Sequence, residues 1–318
     1  MTLQPATSSF TGPVPDRKIT DILKESKFTL SAEIVPPRNG SNRQLIVDQI
    51  DSLKKAGVQF LAVTKGAGGS LRGGSLPIAQ LIKEGFQTPC IAHFTSRDLL
   101  PEEVENQLID HHYLGIRNIL ALRGDPPQGV DGWTPREGSY PYAYQLVEQI
   151  RALNSGKYLE RAGFKTKGRE VTDFSIGVAC YPEHENRTEH LTHFRRKVEA
   201  GAEYAITQML FCADAYERFC SEVATAHCAL PILPGTRLLR SREQASKMSA
   251  RFGVKVPNSY LSALAASDSD PAAQSASIGA SKRLTEDLRR AGAPGLHLFI
   301  LGDTEDACTA LRLANSYK

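Results

Sequence analysis

RNILALRGDPP, residues 117–127, sets the reading of the fold. After Arg117 and Asn118 comes a short apolar run, Ile119 to Leu122, with no helical period; such a run belongs to a strand buried on both faces. It stops at Arg123, Gly124 and Asp125, and two prolines, which cannot extend a ladder, close it. A buried strand that ends on a cation, a glycine and an anion is either a surface turn with a solvated ion pair or one wall of a site. The flanking sequence chooses between the two.

Working outward, the same apolar character recurs in KFTLSAEIV (27–35), VQFLAVT (58–64) and TPCIAHFT (88–95), and again in DFSIGVACY (173–181), EYAITQMLF (203–211), LPILPG (230–235) and GLHLFIL (295–301). Helical patterns separate them at 42–57, 76–85, 100–115, 143–154, 186–201 and 213–226, through an Ala- and Ser-rich region from 241 to 291, and at 303–315. The stretch from Leu100 opens with a proline and two acids in its first turn, a helix start. Eight strands, each followed by a helix, predict a parallel sheet covered on its outer side and closed on itself, an α/β fold of the (β/α)8 TIM barrel type. An open doubly wound sheet would carry G-x-G-x-x-G after its first strand, where this chain has PPRNG. The reading gives a loose, proline-containing arm over residues 1–15 and a single barrel domain over 16–318.

Totals narrow the function. The net charge is +3 over 318 residues with both signs mixed, which argues against nucleic acid as partner. No apolar stretch approaches the roughly 18 residues of a membrane span and no export signal opens the chain, so a cytoplasmic protein away from membranes is expected. The 6 cysteines contain no C-x-x-C and read as buried thiols. His184, His190 and His193 cluster near Glu183 but lack a ligand motif such as H-E-x-x-H, so no metal is predicted.

In a barrel of this kind, chemistry gathers at the C-terminal ends of the strands. Those ends carry Glu33 with Pro36, Pro37 and Arg38; Thr64, Lys65 and Ala67; His93 and Thr95; Arg123, Gly124 and Asp125; Tyr181 and Glu183; and Gln208. Six successive strands ending this way converge on one mouth, which favours a site over a decorative turn. Glu33 sits among apolar neighbours, where desolvation favours the neutral acid; the plainer alternative is an ion pair with Arg38. Arg196 and Lys197 suit a diphosphate or, alternatively, are ordinary exposed helix charges.

The chain resembles the methylenetetrahydrofolate reductases. AEIVPPR, VTKGAGGS, AHFT, GIRNILALRGDPP, PYAYQLV, VACYPE, RRKVEAGAEYAITQMLF and PILPG follow the family's order over residues 28–245, with weaker agreement through GLHLFIL. The resemblance implies FAD at the barrel mouth, NADH or NADPH as electron donor, a reduced folate as substrate and a homo-oligomer. It implies reduction of 5,10-methylenetetrahydrofolate to 5-methyltetrahydrofolate. Glu33 matches the family's general acid, and Asp125 the aspartate beside flavin and pterin. Gln208 and Gln244 match folate-contacting glutamines. Thr64, Lys65, Ala67, His93, Leu122, Arg123, Gly124, Tyr142, Ala143, Tyr181, His184, Arg196 and Lys197 fall at FAD-lining positions. Alternative readings are a flavin-independent or other-pterin reductase of the same barrel, or a non-catalytic folate- or flavin-binding barrel.

The chain departs from the family's pattern at Val35 and Lys65, where aromatics are usual, and at Gly302 and Asp303, where the family has asparagine and arginine. A folate tail is anionic, so Arg237, Arg240 or Arg242 is expected to supply the missing cation.

Overall fold

The computed structural model describes residues 14–70, 73–127, 129–161, 169–265, 273–301 and 304–316. Nearly all of the predicted N-terminal arm, as well as Gly302 and Asp303, lies outside these residues. In chain order the elements are α1 (Ile19–Glu25), β1 (Thr29–Ile34), α2 (Arg43–Lys55), β2 (Phe60–Val63), α3 (Ser75–Gln80), β3 (Cys90–Thr95), α4 (Pro101–Tyr113), β4 (Asn118–Leu122), α5 (Ala143–Leu153), β5 (Ser175–Cys180), α6 (Arg187–Ala200), β6 (Tyr204–Met209), α7 (Ala213–Thr225), β7 (Ile232–Thr236), α8 (Arg242–Phe252), α9 (Asn258–Leu261), α10 (Ala273–Arg290), β8 (Gly295–Leu298) and α11 (Thr304–Asn315). All eight strands pair in parallel in sequence order, and β8 returns to β1 to close the barrel. The predicted (β/α)8 architecture is the one observed.

Side-chain alternation along each strand explains both the closure and the site. Leu30, Ala32 and Ile34 of β1, Leu61 and Val63 of β2, and Ile176 and Val178 of β5 belong to the main core shared with the helices. Each fully buried Ile or Leu there contributes about 1.5–3 kcal/mol. The alternate residues face the barrel axis. Phe60, Ile91, Leu120, Tyr204 and Leu233 fill its lower part. Gly177 makes room for Tyr204: a Cβ there would stand 2.3 Å from the tyrosine ring. Higher on the same inward faces the residues turn polar, which places Glu33, His93 and Gln208 toward the mouth.

The floor of the barrel is sealed by α1, a short helix that the sequence pattern did not announce. Ile19, Ile22 and Leu23 join the inner cluster, and the first turn is held from β4 by Asn118, whose Oδ1 accepts from Ile19 N at 2.9 Å. Just before α1, the Asp16 carboxylate accepts from Cys90 N at 2.8 Å and from Asn118 Nδ2 at 3.2 Å. Burial, the largest influence, pushes the Asp16 carboxyl up to about 6 despite these donors. The region read as helical from 241 to 291 divides into α8, α9 and α10, so the connection between β7 and β8 carries more than one barrel helix. No helix among the described residues is long and apolar enough to cross a membrane.

Candidate active site

The strand ends grouped from sequence line one cavity of about 970 Å³ at the C-terminal mouth. Its acid is Glu33, 6% exposed on the inward face of β1. Two residues below it on that face is Ser31, which the parallel register sets beside His297 of β8. The Ser31 hydroxyl donates to Leu296 O at 3.1 Å and therefore accepts from His297 Nδ1 at 2.9 Å. That fixes the tautomer of a neutral His297 and turns its Nε2 to Glu33 Oε2, 3.8 Å away. The carboxyl group and the imidazole are 7% and 1% exposed as side chains and sit side by side away from bulk water. His297 was not singled out in the sequence. Its signal was the alternation His297–Phe299 in the last strand, matching Ser31–Glu33 in the first.

His93 of β3 completes the polar group. Burial lowers its pKa to about 4, with the Glu33 charge opposing and His297 reinforcing the shift, so it is neutral near pH 7. Its Nε2, like Thr64 Oγ1 at the end of β2, is buried without a hydrogen-bond partner in the structure. Both residues line the cavity, and buried polar atoms of this kind ordinarily meet a ligand or water.

The segment after β4 explains its glycine. Gly124 has φ +96°, and a Cβ there would stand 2.9 Å from Arg97 Cβ and 3.3 Å from Thr95 Cβ. The turn is tied on both sides: Asp125 Oδ2 accepts from Gly68 N at 3.1 Å, and Arg97 donates to the Asp125 carbonyl. Arg123 and Lys197 form the cationic side of the cavity. Lys197 Nζ donates to Ala179 O at 2.8 Å; burial lowers its pKa, and the nearby Arg123 charge lowers it further. Next to them Tyr142 stacks between Tyr144 and His193, with ring centroids at 5.5 Å and 5.2 Å. Leu122, Ala143, Tyr181 and His184 line the same cavity. His190 is committed to the fold: its Nε2 accepts from Tyr181 N at 2.9 Å, and burial lowers its pKa to about 3.

Other sequence candidates stand differently. Lys65 reaches the cavity wall, but its Nζ donates to Gln107 at 2.7 Å and lies 4.4 Å from the Phe94 ring centre; burial lowers its pKa to about 8. Ala67 opens a 3-10 turn whose neighbours Gly66 and Gly68 line the cavity. Arg196 is outside the lining and holds its guanidinium 5.6 Å from the Tyr144 ring centre. Gln208 lines the cavity, with Oε1 accepting from Met209 N at 2.9 Å. Gln244 does not line it; it caps α8, taking Arg240 N on Oε1 at 2.9 Å and donating its own N–H to Ser241 Oγ at 3.1 Å.

None of the three arginines expected to face the substrate tail lines the cavity. Arg237 is buried and donates to Leu301 O at 3.3 Å, Arg240 pairs with Asp306 at 2.6 Å, and Arg242 opens α8 on the exposed side. Arg251, from the far end of α8, does line it, together with Phe252, Phe299 and Leu301.

A half-apolar mouth with a buried acid, unpartnered polar atoms and two cations on one side suits a large, planar, anionic ligand and a proton-transfer step. The family described as methylenetetrahydrofolate reductase matches residues 18–312. The 5,10-methylenetetrahydrofolate reductase of Escherichia coli is 29% identical over 287 residues, covering 88% of each chain. Methylenetetrahydrofolate reductase 1 of Schizosaccharomyces pombe is 29% identical over 283 residues, 87% of this chain and 44% of that protein. This chain thus spans about half the length of the fungal and plant relatives it matches. A solved Clostridium thermocellum protein, described as uncharacterized and as binding two copies of 5-methyl-5,6,7,8-tetrahydrofolic acid, shares the fold with a TM-score of 0.59 at 15% identity, over 93% of this chain and 97% of that one. By the span of the family match, the chain belongs to the methylenetetrahydrofolate reductase family.

Proposed function

We propose that the chain reduces 5,10-methylenetetrahydrofolate to 5-methyltetrahydrofolate, with FAD held at the barrel mouth and NADH or NADPH as the source of electrons. The observation that carries this reading is the buried Glu33 carboxyl at the mouth of a barrel of this family, with the Ser31-bonded His297 beside it at 3.8 Å. Forming a methyl group on N5 breaks the bond between the bridging carbon and N10, and N10 leaves only if it gains a proton. Glu33 is the acid placed to give it, with His297, held by Ser31, beside the carboxyl. His93, kept neutral by burial, adds a hydrogen-bonding group without adding charge.

The residues fit the flavin. Bound FAD would supply two-electron hydride chemistry. Arg123 and Lys197 would meet its diphosphate, where charge-assisted hydrogen bonds are strongest. Thr64 Oγ1 and His93 Nε2 offer buried polar atoms that still need partners. Tyr142, 43% exposed, offers aromatic surface at the cavity. Asp125, anchored by Gly68 N, and Gln208 would face the pterin.

Glu33→Gln separates the two half-reactions. Flavin reduction by the nicotinamide needs no external acid and should keep its wild-type rate. Reoxidation by methylenetetrahydrofolate should slow by about 10²–10⁴-fold, the usual worth of a positioned general acid. Near-normal reoxidation in this variant would remove Glu33 from the proposed role.

A further inference from the structure

Folate substrates carry a benzoyl ring and then a glutamate with two carboxylates. A site for them needs an apolar wall and, beyond it, a cation that is not already spent on the protein. Among the described residues, five lysines and arginines line the cavity: Arg38, Lys65, Arg123, Lys197 and Arg251. Arg38, just after β1, is the alternative that the Arg38→Ala variant tests. Lys65 is bonded to Gln107, and Lys197 to the Ala179 carbonyl. Arg123 and Lys197 follow β4 and β5, which in the closed strand order lie across the mouth from β8 and β1. Arg251 is on the other side. It comes from the last turn of α8, in the β7–β8 connection, and reaches the same cavity as Glu33.

Three further features single out this residue. Arg251 is exposed and makes no ion pair among the described residues. Its guanidinium lies 4.9 Å from the centre of the Phe252 ring, a contact that holds the flat cation while leaving its N–H edges free to bond. Phe252, Phe299 and Leu301, all partly exposed, supply an apolar wall next to it in the lining. The loop is also fixed near this end, where Lys255 N donates to Glu183 at 3.4 Å.

We infer that Arg251, backed by Phe252, binds the carboxylate-bearing arm of the substrate, with Phe252, Phe299 and Leu301 against its benzoyl ring. This rests on the proposed reaction and names the part of the site that selects an anionic tail. It assigns the role to the end of α8, in place of Arg237, Arg240 and Arg242, which the fold uses elsewhere or leaves outside the cavity.

The test combines two substrates and three variants. Wild type, Arg251→Ala, Arg251→Lys and Arg38→Ala are assayed with methylenetetrahydrofolate and with its glutamate diamide, whose tail is neutral. Arg251→Ala should raise the KM for the natural substrate about tenfold and change the KM for the diamide by less than about twofold; tenfold corresponds to about 1.4 kcal/mol. Flavin reduction by the nicotinamide should be unaffected. Arg251→Lys should recover part of the loss, since it keeps charge without the planar fork. The inference is overturned if Arg251→Ala leaves KM unchanged, if it shifts both substrates equally, or if the tail-dependent effect appears in Arg38→Ala instead. Equilibrium binding of 5-methyltetrahydrofolate to the same proteins separates the two levels of the account. A wild type that binds it through Arg251 but turns nothing over contradicts the reaction alone, whereas one that binds no folate contradicts both.

Discussion

Gly124→Ala tests whether the turn after β4 is shaped by the protein's own packing. The native residue sits at φ +96°, where an L side chain costs about 1–2 kcal/mol. The new Cβ would also stand 2.9 Å from Arg97 Cβ and 3.3 Å from Thr95 Cβ. Displacing them is an overpacking cost of about 1–3 kcal/mol, and Arg97 cannot move freely because it bonds the Asp125 carbonyl. The sum is about 2–5 kcal/mol. With an unfolding entropy of roughly 2.1 cal/mol/K per residue, a chain of this length loses about 3–7 °C of Tm. Gly132→Ala is the control: φ is +68° and nothing lies within 4 Å of its Cβ, so only the backbone cost applies, about 1.5–3 °C. Thermal unfolding followed by circular dichroism, with FAD affinity measured by fluorescence quenching, reads both effects. Gly124→Ala should show the larger Tm loss and the weaker flavin binding. Equal shifts in the two variants, or unchanged flavin affinity in Gly124→Ala, would refute the packing argument.

Two other outcomes follow from the buried polar groups. His297→Ala removes the imidazole packed beside Glu33, so it should slow reoxidation by methylenetetrahydrofolate by part of the roughly 10²–10⁴-fold due to general acid catalysis while flavin reduction stays near wild type; stopped-flow absorbance of each half-reaction checks this. Asp16→Ala strands the Cys90 N–H beneath the barrel, a cost of about 1–3 kcal/mol for a group left unsatisfied, measured by denaturant unfolding; the Asn118 amide keeps the Arg17 carbonyl. Asp16 also carries a pH signature. Its carboxyl is raised from 3.8 to about 6 by burial, so over that window the folded state binds more protons than the unfolded chain. Its contribution is therefore fully present below about pH 4 and is lost as pH rises through about 6, and Asp16→Asn should flatten this part of the stability profile.

Much of the barrel was legible because the signal was local. Each strand is a short apolar run whose residues are buried on both faces, and each run ends where polar residues begin. Glu33, His93, Gln208 and the Arg123–Asp125 turn could be grouped for the same reason: parallel closure brings strand ends to one mouth whatever the details of packing. What escaped depends on contacts between distant segments. The seven residues of α1 give too short a pattern to announce a helix, and their apolar side acquires meaning only against Phe60, Ile91 and Tyr204 at the barrel floor. His297 is one polar residue in an apolar strand until register sets it beside Ser31. Arg237, Arg240 and Arg242 follow β7 directly and looked well placed. Their partners, Leu301 O, Asp306 and the exposed side of α8, become visible only when the β7–β8 connection is folded, and that connection is also what carries Arg251 to the cavity.

The most direct test of the central claim is an anaerobic two-step titration of the purified protein followed by absorbance. The account predicts a flavin spectrum that bleaches on addition of NADH or NADPH and returns on addition of 5,10-methylenetetrahydrofolate, with 5-methyltetrahydrofolate formed in equal amount to the flavin reoxidised. A protein reconstituted with FAD that shows no flavin spectrum, or one whose bleached flavin is not reoxidised by methylenetetrahydrofolate, would contradict it.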